Sequence, residues 1–88
     1  MVVDDDQDAC DLLAAALRRD GHAVKAFTSP EAALEHVARE LVDVIVSDVS
    51  MADMDGVELC ERARRVQPDV PVVLVTGQGS LEVAIRAL

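Results

Sequence analysis

Apolar positions along this chain switch repeatedly between the spacing of a strand and that of a helix. Residues 1–3 read as a strand stub that runs into Asp4, Asp5 and Asp6. From Asp8 the period is helical: Ala9, Leu12, Leu13, Ala16 and Leu17 recur at i, i+3, i+4, i+7 and i+8 and define one apolar face. Gly21 follows, where a left-handed C′ residue ends a helix. Residues 23–27 alternate as a short second strand. Thr28, Ser29, Pro30 and Glu31 form a helix start, with hydroxyl caps, a proline in the first turn and a glutamate three residues after Thr28. The helix they open carries Leu34, Val37, Ala38 and Leu41. Residues 42–47, VDVIVS, are a nearly continuous β-branched run, the mark of a strand buried on both faces. Asp55, Gly56, Val57 and Glu58 open a third helix bearing Leu59, Ala63 and Val66, which Gln67-Pro68-Asp69 breaks. Residues 70–76, VPVVLVT, give a fourth strand and 77–80 a link. Leu81, Ala84, Ile85 and Leu88 then define the apolar face of a last helix.

This alternation predicts one α/β domain over residues 1–88, with parallel strands, right-handed crossovers and helices on both faces of the sheet. In such a sheet ligands bind outside the carboxyl ends of the strands, where the strand order reverses. The residues at those ends are Asp4, Asp5 and Asp6 after the first strand, Asp48, Val49 and Ser50 after the third, and Thr76 and Gly77 after the fourth. With the first and third strands as neighbours, their carboxylates converge. Burial and mutual repulsion would raise their pKa values unless a cation stood between them. Hard oxygen donors without histidine or cysteine suit Mg²⁺. Such a pocket beside a hydroxyl is a setting for phosphoryl transfer, with an aspartate as the nucleophile.

Composition narrows the reading. Aromatics are 1% of the chain, a single Phe27, so the core must be built from Val, Leu, Ile and Ala. Seventeen acidic residues against eight basic ones give a net charge of −9, which argues against a nucleic-acid surface built on clustered Lys and Arg. Cys10 and Cys60 lie far apart and match no metal-ligand spacing, so both thiols are expected to be reduced and partly buried. With no signal peptide and no long apolar stretch, no membrane contact is expected and a cytoplasmic location is.

Three segments in order, VVDDD at 2–6, IVSDVSMADMDG at 45–56 and VVLVTGQGS at 72–80, together resemble the receiver domain of response regulators, the phosphoacceptor half of two-component signalling. The resemblance implies a flavodoxin-like doubly wound sheet of strand order 2-1-3-4. By position it implies that Asp48 accepts a phosphoryl group from a sensor histidine kinase or phosphotransfer protein. Asp4 and Asp5 would hold Mg²⁺ together with Asp48 and the backbone carbonyl of Ser50, Asp5 being the more direct ligand. Thr76 would be the switch hydroxyl that moves to the phosphoryl group and shifts the surface around the fourth strand and helix. The segment TGQGSLEVAIRAL is similar to receivers of nitrogen-regulatory transcriptional activators, in which the fourth helix reorients. The domain would modify itself rather than turn over as an enzyme, form a homodimer, and pass its signal to an output domain.

Two departures stand out. Receivers usually carry proline where Ala52 stands, which predicts a less stiff loop here. They also have a fifth strand ending in a phosphate-binding lysine, then a fifth helix. The only lysine of this chain is Lys25, in the predicted second strand, so the chain is expected to be a receiver cut at both ends with that strand and helix absent. That leaves a second class open, a non-phosphorylated fragment that associates through the exposed edge of its fourth strand. A third class, an aspartyl-phosphate phosphatase, would have a second aspartate two residues after the nucleophile, where this chain has Ser50. Among the other charged residues, Asp6 is expected to face outward or cap the first helix, Asp55 to cap the third, and Asp53 to be solvated. His22 and His36 are expected to lie at the surface.

Overall fold

The computed structural model describes residues 1–75 and a strand over 83–86. The elements, in chain order, are β1 (Val2–Val3), α1 (Gln7–Arg19), β2 (Ala26–Phe27), α2 (Pro30–Arg39), β3 (Ile45–Asp48), α3 (Gly56–Val66), β4 (Val72–Val75) and β5 (Val83–Arg86). They form one sheet of order β2-β1-β3-β4-β5. The pairs β1–β2, β1–β3 and β3–β4 are parallel, in the expected order 2-1-3-4. The chain moves outward from β1 to β2, then back past β1 to β3 and β4. With right-handed crossovers, that reversal puts α1 on one face and α2 and α3 on the other. The helices follow this rule: α1 packs on β1 and β2, whereas α2 and α3 pack on each other.

Each helix is closed by side chains at its start. Asp6 caps α1, accepting from the Asp8 amide, and Asp55 caps α3, accepting from the Glu58 amide at 2.8 Å. For α2 the cap is Ser29 rather than Thr28, with Pro30 at the first helical position. Gly21, at φ 94°, takes the left-handed conformation that only glycine adopts without strain. The core lies mainly between β3, β4 and the α2–α3 layer, where Val37, Ile45, Cys60, Ala63, Val72 and Leu74 meet. Fully burying Ile45 or Leu59 contributes about 1.5–3 kcal/mol each.

Several expectations are corrected. Residues 81–88 were expected as a helix and the sheet without a further strand; instead Val83–Arg86 pair antiparallel with β4. A run as short as Val83-Ala84-Ile85 fits either period, and β4 offers a row of edge amides and carbonyls that a strand satisfies and a helix does not. The edge of the fourth strand is therefore covered, which removes the premise of the edge-associating fragment. Leu41 falls beyond the end of α2 and is 93% exposed, and Val66 at the end of α3 is 53% exposed. On α1 the buried residues are Cys10 and Ala14, while Leu12 is 74% exposed. The helix is thus rotated so that small residues, which allow close approach, face the sheet. Among the described residues no helix is long and apolar enough to cross a membrane.

Candidate functional site

The register of the sheet builds the site. Val3 lies opposite Ser47 in the β1–β3 pair, so the next residues, Asp4 and Asp48, come level at the carboxyl end. This is the point where the strand order reverses. Main-chain bonds hold both strand ends: the Asp4 amide donates to Phe27 O at 3.1 Å and the Val49 amide to Val75 O at 3.1 Å. One carboxylate oxygen each from Asp4, Asp5 and Asp48 lies within 4.8 Å of the others. Asp4 and Asp48 are half-buried and Asp5 is exposed.

Three carboxylates this close oppose one another. Two unit charges at 4 Å repel by about 1 kcal/mol in bulk water and about 4 kcal/mol at the effective dielectric near a protein surface. Burial pushes the Asp4 carboxyl above the ordinary carboxylate range; the Asp48, Asp5 and Asp6 charges add to this and the Asp6 amide opposes it. Each carboxylate is held by one backbone amide. Asp6 N donates to Asp4 Oδ1 at 3.0 Å, Ala52 N to Asp5 Oδ2 at 2.9 Å, and Ser50 N to Asp48 Oδ1 at 3.4 Å. The remaining oxygen of each stays available to a cation. The donor set is all hard oxygen, which fits Mg²⁺ rather than a softer metal. Ser50, the expected carbonyl donor, sits beside the cluster through that 3.4 Å contact with Asp48.

Behind Asp48 the loop to α3 is tight. A Cβ on Gly56 would fall onto the Asp48 carbonyl oxygen and lie 3.1 Å from both Asp48 C and Val49 Cα. Glycine is therefore required for close approach rather than for an unusual φ. The Gly56 amide donates to Val49 O at 2.8 Å, and the Ser47 hydroxyl, fully buried, donates to Asp48 O at 2.9 Å. The main chain of Asp48 is thus fixed from two sides while its carboxylate remains half-exposed.

The structure brings together Asp4, Asp5, Asp48 and Ser50; Thr76 lies outside the described residues. Asp6 and Asp55 are helix caps, and Asp53 is exposed. Lys25 is exposed at the opposite, amino end of the sheet, one residue before β2. His36 is partly buried beside Phe27, with ring centroids 5.3 Å apart. Three neighbours of the site were missed in the sequence. The Ala52 amide reaches Asp5, a contact the sequence signals only in that residue 52 is not proline. Gly56 was legible as a helix start but not as the contact to Asp48. Cys10 lies against this region, donating to Phe27 O at 3.6 Å, and burial pushes its thiol up, with Asp4 and Asp11 contributing. Such a thiol stays protonated and unreactive.

Comparison with known proteins agrees with this geometry. The family model described as "Response regulator receiver domain" matches residues 1–88. The transcriptional regulatory protein ZraR of Escherichia coli K12 is 39% identical over 88 residues, all of this chain and 20% of that protein. A CheY-like receiver domain protein from Methanospirillum hungatei JF-1 superposes with a TM-score of 0.81 at 30% identity, covering 91% of this chain and 64% of that one. The receiver domain of NtrC4 from Aquifex aeolicus superposes with a TM-score of 0.71 at 32% identity, covering 91% of this chain and 66% of that one. The chain spans about a fifth of the length of the curated relatives it matches.

Proposed function

The chain belongs to the response regulator receiver domain family of two-component signalling, and from that premise we propose that Asp48 is its phosphoacceptor, served by a Mg²⁺ site on Asp4, Asp5, Asp48 and the Ser50 carbonyl. One observation carries the reading: Asp48 ends β3 at the reversal of strand order, with Asp4 and Asp5 converging on it from β1.

The side chains allow a direct mechanism. A carboxylate oxygen of Asp48 attacks the phosphorus of a phosphohistidine on a partner. The P–N bond breaks with its electron pair passing to the imidazole nitrogen, and an acyl phosphate forms on Asp48. Ser47 and Gly56 keep the Asp48 main chain still, so the attacking oxygen is placed by the end of a strand rather than by a mobile loop. Mg²⁺, when held by these residues, supplies the positive charge that offsets both the carboxylates and the phosphoryl oxygens. The Thr76 hydroxyl is the proposed switch, closing on the new phosphoryl group and biasing the surface around β4. A receiver is a signalling domain, and this reaction modifies the domain itself rather than turning over a substrate.

The partners of this reading are a sensor histidine kinase or phosphotransfer protein, a second copy of the chain, and an output domain of the transcriptional-regulator kind, all in the cytoplasm. Labelling with acetyl phosphate in the presence of Mg²⁺, followed by intact mass, tests it. The parent should gain one phosphoryl group, and Asp48→Asn or a chelator should abolish the gain. Labelling that survives Asp48→Asn would refute the assignment.

A further inference from the structure

We propose that the backbone N–H of Ala52 is a positioning donor for the cation site, holding the Asp5 carboxylate in place and tying the β3–α3 loop to the end of β1. The inference rests on the reading that Asp4, Asp5 and Asp48 hold a divalent cation. Asp4 and Asp48 are each held by an amide two residues further along, so their support is local. Asp5 is held from 47 positions away, by Ala52 N to Oδ2 at 2.9 Å. It is also the exposed member of the three. Repulsion from its two neighbours drives an exposed carboxylate outward into water, and the Ala52 bond resists that rotation. A hydrogen bond to a carboxylate is charge-assisted and about twice as strong as a neutral one.

The bond uses Oδ2 and leaves Oδ1 for the cation. Its donor is well placed to act as a support. The loop that carries Ala52 is closed at its base by the Gly56–Val49 bond and anchored by Met54, which is 5% exposed. Ala52 itself is exposed, so its contribution comes through the main chain. Proline has no N–H and cannot fill this role. Where the receiver resemblance puts a proline that stiffens the loop covalently, this chain has a residue that fastens the loop to the site instead.

Two variants separate the donor from loop stiffness. Mg²⁺ affinity, read by calorimetric titration, should fall about fivefold or more in Ala52→Pro and stay within about twofold of the parent in Ala52→Gly, which keeps the N–H. Hydrogen exchange gives a second readout on the metal-free protein: the Ala52 amide should exchange about tenfold faster in Asp5→Ala than in the parent. Equal affinity in parent and Ala52→Pro overturns the inference, as does equal weakening in both Ala52 variants. Failure of the parent itself to bind Mg²⁺ refutes the cation site instead. In that case, or if Ala52→Pro does not fold, Ala52 exchange decides: acceleration in Asp5→Ala supports the tie, and an unchanged rate overturns it.

Discussion

At the amino end of the sheet the Gln67 side chain satisfies main-chain groups of the α2–β3 connection: it donates to Val37 O at 2.8 Å and Glu40 O at 2.7 Å and accepts from Val42 N at 3.1 Å. At the carboxyl end three carboxylates stand within 4.8 Å, each with one amide and no opposing charge among the described residues. One end uses a neutral amide to complete hydrogen bonds left open where a helix stops. The other keeps like charges together where a helix begins and strands stop. A cleft of about 390 Å³ also lies at the amino end, lined by Leu17, His36, Glu40, Leu41 and Asp43 among others, yet among the described residues the cluster of three acidic side chains is at the other end. The amino end thus serves to stabilise the fold, and the clustered carboxylates stand at the end that strains it.

Four measurements would break or sharpen this contrast. The largest effect is expected from Gly56→Ala, whose Cβ collides with the Asp48 carbonyl. Overpacking of this kind costs about 1–3 kcal/mol, and it should lower the urea midpoint and acetyl-phosphate labelling together. Gln67→Ala leaves two carbonyls and one amide without their side-chain partner, at a cost of about 1–2 kcal/mol. It should leave Mg²⁺ affinity unchanged; a joint loss would show that the two ends are not independent.

The third measurement uses pH. The folded pKa of Asp4 is raised, so the folded state binds its proton more tightly than the unfolded chain does. The stability this group contributes is fully present below its unfolded pKa of about 3.9. It is lost as pH rises through the raised folded value, because the slope follows the difference in bound protons. With a chelator present, stability should therefore fall across that window in the parent, and the fall should be smaller in Asp4→Asn. Added Mg²⁺ should restore stability at neutral pH in the parent by mass action. The smallest effect is expected at Leu41→Ser, within about 0.5 kcal/mol by denaturant titration, because the side chain is 93% exposed.

The carboxylates were legible from the residues, whereas the strand order 2-1-3-4 came from the receiver resemblance. Asp4, Asp5 and Asp48 directly follow or end β-branched runs, and parallel topology brings the ends of such runs together. The caps at Asp6 and Asp55 were legible because capping is local chemistry. The phase of α1 was not: Ala9, Leu12 and Ala16 match a helical stripe as well as Cys10 and Ala14 do, and only packing against the sheet selects the smaller pair. Nor was β5, whose residues satisfy both periods and are decided by the edge of β4. The Ala52 and Gln67 contacts were hidden for a third reason. They join residues far apart in sequence through amide groups, and pattern reading carries no signal for where an amide points.

Gly56 has a mechanical consequence. With no side chain between them, the first turn of α3 rests on the main chain of Asp48 without slack, and the Gly56–Val49 bond closes the contact from the other side. Soft packing absorbs a displacement of a few tenths of an ångström, whereas a backbone-to-backbone seat passes it on. Any movement of the Asp48 main chain is therefore delivered to an eleven-residue rod, and the far end of that rod, by Gln67, is where it would be felt.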